Sequence, residues 1–225
     1  MARFDRLTIY QEIMDSGLVP LFYHGDIDTA QRVAAAIADG GARILEFTNR
    51  GDKAMDVFKG LNSYCEQAYP DLILGIGSVL DAPTAALYIA LGANFIVAPV
   101  FDPEVAKLCN RRKIPYMPGV GSVTEITRAE ELGVEIVKIF PGTQVGGPGF
   151  VKAVKAPMPW TQMMPTGGVD ATQESIASWI KAGACAVGMG SKLVRKEWVN
   201  TGEFNAIREN VAACLSWIQE ARQSS

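Results

Sequence analysis

A lysine interrupts an otherwise apolar run, Val134-Glu135-Ile136-Val137-Lys138-Ile139-Phe140, which ends in Pro141-Gly142. The run has the β-branched content and the terminator of a short buried strand. Burying an ammonium there is costly, because desolvation disfavours the charged form. Either a carboxylate neutralises the lysine, or the lysine serves as a neutral amine nucleophile. A carboxylate is on offer in Arg43-Ile44-Leu45-Glu46-Phe47, a second apolar run broken by one buried-type charge. Alternate side chains of a strand share a face, so Ile44, Glu46 and Thr48 fall together, as do Ile136, Lys138 and Phe140. A structural ion pair and a catalytic amine–carboxylate pair both fit that placement.

Three further segments carry groups suited to binding. Gly75-Ile76-Gly77-Ser78-Val79 ends a third apolar run, where glycines let backbone and the Ser78 hydroxyl approach a ligand. Pro165-Thr166-Gly167-Gly168-Val169 and Gly188-Met189-Gly190-Ser191 are glycine-rich turns whose N–H groups suit an anion such as phosphate. Arg50, just past the Glu46 run, has the planar fork that clamps a carboxylate.

These segments must be positioned by the elements around them. Apolar runs expected as strands cover 18–23, 43–47, 72–76, 94–98, 115–117, 136–140, 161–164 and 186–189. Between them lie helical patterns over 28–39 (capped by Asp28), 53–68, 82–91, 103–112, 122–132, 150–154 and 172–182. Further helices are expected over 5–16 and 203–221, flanking the set. Strict βα alternation implies a parallel sheet covered by helices, and eight units imply a (β/α)8 TIM barrel. A doubly wound open sheet is the competitor, but no Gly-x-Gly-x-x-Gly follows the first strand. No linker or low-complexity segment divides the chain, so residues 1–225 are expected to form one domain. In this architecture the strands' C-terminal ends build the site, and Glu46 and Lys138, on the second and sixth strands, share one inward layer near its mouth.

Composition narrows the chemistry. The 225 residues carry a net charge of −3, which gives no electrostatic case for nucleic acid or an anionic membrane. One histidine, His24, and four scattered cysteines leave no zinc-type cluster and make a Ser-His-Asp triad a poor reading. Cys65, Cys109, Cys185 and Cys214 read as reduced core thiols. The opening residues lack a signal-peptide apolar region and no run approaches a membrane span, so a cytoplasmic protein is expected.

The motifs together resemble the class I KDPG/KHG aldolases, lysine-dependent barrel enzymes acting on 2-dehydro-3-deoxy-6-phosphogluconate and 4-hydroxy-2-oxoglutarate. The resemblance is collinear from about Leu18 to Leu193. It runs through Gly40-Gly-Ala-Arg-Ile-Leu-Glu-Phe-Thr-Asn-Arg50, Gly75-Ile-Gly-Ser-Val-Leu80, Phe95-Ile-Val-Ala-Pro99 and Ile114-Pro-Tyr-Met-Pro-Gly119. It continues with Val137-Lys-Ile-Phe-Pro141, Gly146-Gly147, Pro165-Thr-Gly-Gly168 and Gly190-Ser191. The resemblance implies that Lys138 forms a Schiff base with a keto acid while Glu46 moves the protons. It implies that Arg50 and Ser78 hold the pyruvate carboxylate, with serine here in place of threonine, and that Pro99 and Phe140 pack around the pyruvyl group. It assigns Thr166, Gly167, Gly168, Gly190 and Ser191 to the substrate's far end, and implies a homotrimer without metal or cofactor.

Three departures lie at that far end. Many relatives carry an arginine soon after the first strand, where Tyr23 and His24 stand here. The turn after the eighth strand reads Gly-Met-Gly-Ser, and the loop after the sixth is enlarged over Thr143-Gln-Val-Gly-Gly-Pro-Gly149. Two other functions use the same residues. One is a phosphate-binding barrel isomerase or synthase with Lys138 and Glu46 as acid and base; the other is a non-catalytic keto-acid-binding protein.

Overall fold

The computed structural model describes residues 2–224. Met1 and Ser225, the ends of the expected single unit, lie outside the described residues. The strands are β1 (Leu18–Phe22), β2 (Ile44–Thr48), β3 (Ile73–Gly77), β4 (Ile96–Val97), β5 (Tyr116–Met117), β6 (Gly119–Val120), β7 (Ile136–Ile139), β8 (Gln162–Pro165) and β9 (Val187–Met189). The helices are α1 (Arg6–Ser16), α2 (Ile27–Asp39), α3 (Ala54–Ala68), α4 (Ala82–Ala90), α5 (Pro103–Arg112), α6 (Val123–Glu131), α7 (Gly147–Lys155), α8 (Gln173–Lys181), α9 (Lys196–Thr201) and α10 (Phe204–Gln223). Among the described residues no helix is long and apolar enough to cross a membrane.

Helices start where a side chain satisfies the first free N–H groups. The Asp81 and Asp102 carboxylates accept from Thr84 and Val105 N–H, each with proline in the first turn. Ser122 and Glu125 make a reciprocal capping box at α6, in which Glu125 Oε2 accepts from Gly121 N–H at 2.9 Å. At α2 the cap is Asp26, not Asp28: the Asp26 carboxylate accepts from Thr29 N–H at 2.8 Å, and Asp28 sits in the first turn.

All strand pairs are parallel, in a six-stranded order β5-β4-β3-β2-β1-β9 and a three-stranded order β6-β7-β8. An isolated parallel bridge joins Thr166 to Gly188, beside β8 and β9. Lys138 N–H of β7 donates to the Pro118 carbonyl between β5 and β6 at 2.8 Å. The result is an α/β fold with a curled parallel sheet. Among the described residues nine short strands stand where eight were expected: Pro118, which has no N–H, ends β5, and pairing resumes beyond the expected fifth strand (115–117) as β6. The sixth expected strand, now β7, ends at Ile139, one residue short of Phe140. The brief helix expected over 150–154 is the nine-residue α7, and the sequence reading did not include α9.

The sheet's two faces sort by residue parity. Val19, Ile44, Ile73, Phe95, Val97, Met117, Ile136, Met164 and Ala186 gather on the inner face with Ile9, Tyr10 and Ile13 of α1. Leu45, Phe47, Leu74, Ile76, Val137, Ile139 and Met163 pack outward against the helices. Helix α1 therefore closes the N-terminal end, where the Tyr10 hydroxyl accepts from Tyr116 N–H at 3.2 Å. What remains open is the C-terminal end.

Candidate active site

Glu46 and Lys138 lie two residues along from Ile44 and Ile136, so strand alternation turns both toward the inner face above the apolar floor. Glu46 is 1% exposed and Lys138 5% exposed. The register places Glu46 level with Leu21 and Gly75, and Lys138 level with Gly119 and Met164. Glycine at 77 is required by this arrangement, since a Cβ there would run into the Glu46 carboxylate.

The two charged groups form no direct ion pair. Glu46 Oε2 has no hydrogen-bond partner, and Lys138 Nζ stands 5.2 Å from the centroid of the Phe140 ring. Burial pushes the Glu46 carboxyl above its ordinary range, against the weaker opposing pull of Lys138 and Arg50. A carboxyl whose proton is held more tightly than usual is suited to giving it up and taking it back during a reaction.

The remaining expected residues ring the mouth. Ser78 follows β3 half-buried at φ 61°, a left-handed conformation that costs a non-glycine residue about 1–2 kcal/mol. Such strain is retained where the surroundings enforce it, commonly at ligand sites. Pro99 packs its backbone against Gly119, the neighbour of Lys138 in register, where no Cβ fits. The Thr166 hydroxyl is buried with no partner, over a position where Gly188 lacks a Cβ. Gly167 and Gly168 adopt φ of 86° and 84°, and the enlarged loop docks on them, with Thr143 N–H donating to the Gly167 carbonyl at 3.2 Å.

A cavity of about 380 Å³ opens between the ends of β1, β2 and β9. It brings Arg50, Gly190 and Ser191 together with Tyr23 and His24; Glu46, Lys138, Ser78, Pro99, Phe140 and Thr166 to Gly168 are not on its wall. The residues assigned to the substrate's far end thus divide between two parts of the mouth. Lys196 and Asn200 of α9 also line the cavity, and neither was anticipated. The available signal was the short Arg195-Lys-Glu-Trp-Val-Asn-Thr-Gly202 segment, ended by glycine, between the last strand and the final helix.

Other chemistries find less support. Among the described residues no group of three or more His, Cys, Asp or Glu side chains is placed to hold a metal ion. Burial pushes the Cys65, Cys109 and Cys214 thiols up to about 12 and Cys185 up to about 11, so none is a ready thiolate.

Known proteins are similar to this chain over most of its length. A family model described as "Aldolase: KDPG and KHG aldolase" matches residues 9–210. The 2-dehydro-3-deoxy-phosphogluconate aldolase of Treponema pallidum (strain Nichols) is 30% identical over 201 residues, covering 89% of this chain and 93% of that protein. A KDPG aldolase from Legionella pneumophila, solved with pyruvate captured at low pH as a covalent carbinolamine intermediate, superposes with a TM-score of 0.82. It is 26% identical and the match covers 90% of this chain and 96% of that one. A cube-shaped, highly porous protein cage designed by fusing symmetric oligomeric domains contains a chain 26% identical, with a TM-score of 0.81, covering 92% of this chain and 74% of that one. The chain belongs to the KDPG and KHG aldolase family: it is a lyase, a Schiff-base aldolase that cleaves a keto acid to pyruvate and an aldehyde.

Proposed function

We propose that this cleavage runs on Lys138 as the amine nucleophile and Glu46 as the proton carrier, on a 2-keto-3-deoxy (phospho)sugar acid or 4-hydroxy-2-oxoglutarate. The observation that carries the assignment is a buried lysine on the same inner face as a carboxyl it does not pair with. Lys138 Nζ adds to the keto carbon to give a carbinolamine, and loss of water, with a proton supplied by Glu46, gives the protonated imine. Glu46 then takes the proton of the C4 hydroxyl. The C3–C4 bond breaks, the aldehyde departs, and the electron pair enters the imine to form an enamine. Protonation at C3 and addition of water return pyruvate and free Lys138. An unpartnered Oε2 and a carboxyl held above its usual range suit Glu46 to both directions of transfer.

Around this pair, Arg50 and Ser78 hold the pyruvate carboxylate, and Pro99 and Phe140 enclose the pyruvyl carbons. Thr166, Gly167, Gly168, Gly190 and Ser191 receive the far end. Incubating the protein with pyruvate and borohydride is expected to add a stable mass at Lys138, and Lys138→Met is expected to abolish it. A wild-type protein that turns over substrate without a trappable adduct would instead be using Lys138 and Glu46 as acid and base alone.

We read the two hydrogen-bonded sheets as one closed (β/α)8 barrel in a single domain over residues 1–225. The Thr166–Gly188 bridge and the Lys138-to-Pro118 hydrogen bond support closure on either side of the smaller sheet. A homotrimer in the cytoplasm completes the reading. The likeness to a chain of a cage made from symmetric oligomeric domains supports assembly, and four free thiols suit a reducing compartment.

A further inference from the structure

The cavity beside Arg50 has a one-sided charge. Its floor is apolar, and its polar lining includes Arg50 and Lys196 but no carboxylate. Asn200 lines it too, one helical turn beyond Lys196 on the same face of α9.

The neighbouring cations are engaged elsewhere. Lys192 pairs with Asp170 at 3.3 Å, and the Arg195 guanidinium lies 4.7 Å from the centroid of the Trp198 ring. Lys196 makes no ion pair within the described residues. Its helix is fixed at both ends: Val194 N–H donates to the Gly190 carbonyl at 2.9 Å, and Glu203 N–H to the Trp198 carbonyl at 2.8 Å. The cavity thus joins the glycine–serine turn after β9, whose backbone suits an anion, to a lysine held at its rim.

We propose that Lys196, with Asn200 beside it, determines specificity for keto acids whose far end is an anion, a phosphate in preference to a carboxylate. This assignment rests on the aldolase reading and extends it to a residue beyond the motifs that define the reaction centre. A phosphate dianion gains more than a carboxylate from the Lys196 ammonium, and a neutral hydroxymethyl end gains nothing from it. Lys196 is solvent-exposed, so replacing it removes no core packing.

The test compares wild type, Lys196→Met and Lys196→Arg on 2-dehydro-3-deoxy-phosphogluconate, its dephosphorylated counterpart and 4-hydroxy-2-oxoglutarate. Lys196→Met is expected to raise KM for the phosphorylated substrate by roughly 10-fold, as for one lost charge-assisted contact. The rise for 4-hydroxy-2-oxoglutarate should be smaller and that for the dephosphorylated acid absent, while Lys196→Arg recovers most of the loss. A KM that Lys196→Met leaves unchanged on both anionic substrates, or raises equally on the neutral-ended one, overturns the assignment. Borohydride trapping of pyruvate at Lys138 is scored alongside. Its failure in wild type would sink the aldolase reading, whereas intact trapping with an unmoved KM would sink only the role of Lys196.

Discussion

Substituting Gly77 by alanine tests whether Glu46 must sit where the sheet places it. The added Cβ would overlap the Glu46 carboxylate and stand only 2.8 Å from its Cγ. Non-bonded carbons need about 3.5–4.0 Å, so the side chain of Glu46 must retreat by on the order of 1 Å. The backbone of β3 has little room to yield instead: Gly77 pairs with Thr48, and its carbonyl accepts from Asn49 N–H at 2.8 Å. A displacement of about 1 Å in a catalytic group costs roughly 100-fold in rate. At about 1.4 kcal/mol per tenfold, this is near 2.7 kcal/mol of transition-state stabilisation. Overpacking also lowers stability by about 1–3 kcal/mol. Pyruvate release in a coupled assay gives the first quantity and urea denaturation the second. A cycle with Glu46→Gln isolates the mechanism, because alanine at 77 should cost little further activity once the carboxylate is gone. A Gly77→Ala protein with kcat within about threefold of wild type would refute the reasoning, as would a full additional loss in the Glu46→Gln background.

Two further substitutions separate stability from chemistry. Because burial raises the folded-state affinity of Glu46 for its proton above the reference near 4.5, the wild-type fold loses stability as pH rises through the folded value. Glu46→Gln is therefore expected to unfold at higher urea than wild type at pH 8, with the gap closing toward pH 5, while aldol cleavage is lost at both. Thr166→Val deletes a buried hydroxyl that has no partner, so thermal unfolding should stay level or gain about 1 kcal/mol, whereas kcat/KM for the full-length keto acid falls roughly 10-fold. A marked loss of stability in Thr166→Val would mean that the hydroxyl is structural.

The shared inward placement of Glu46 and Lys138 was legible because it rests on a period of two. Once Ile44 and Ile136 face inward, Glu46 and Lys138 must as well, and a slip of one residue would have turned either out among the helices. Hydrophobic pattern found the strands but not their breaks. Residues 114–120 are all buried, yet the expected fifth strand stops at 117, so the two paired residues beyond Pro118, Gly119 and Val120 of β6, were missed. The α2 cap was misplaced by two residues because Asp26 and Asp28 are equally good caps on paper, and only the backbone decides which carboxylate reaches Thr29. Helix α9 was invisible because six residues with no buried member carry no periodic face. Its lysine therefore went unnoticed, although it shares a cavity with residues the motifs had picked out.

The locations of unfavourable groups say more about function than the locations of favourable ones. The floor of the curled sheet is apolar, sealed by Ile9 and Ile13, and its one phenol, Tyr10, has a backbone partner. Two residues higher, the same alternation places a carboxyl with an unbonded oxygen and a lysine without a counter-ion, and the rim adds a hydroxyl with no partner and a serine at φ 61°. Each of these costs stability that alanine, valine or glycine would recover, by roughly 1–3 kcal/mol for a buried unpaired polar group. Of the three buried side-chain atoms without partners among the described residues, Ser16 Oγ lies at the far end of α1, away from the mouth, and a single such atom is ordinary. Glu46 and Thr166 are not scattered in that way: Glu46 faces inward from the middle of β2 and Thr166 lies just past β8, with Ser78 just past β3 and Lys138 on β7 between them in the chain. A stability-driven interior would distribute such defects or remove them. Their concentration at the one open end is what a surface built to be completed by a polar substrate requires, because the substrate supplies the missing partners only while it is bound.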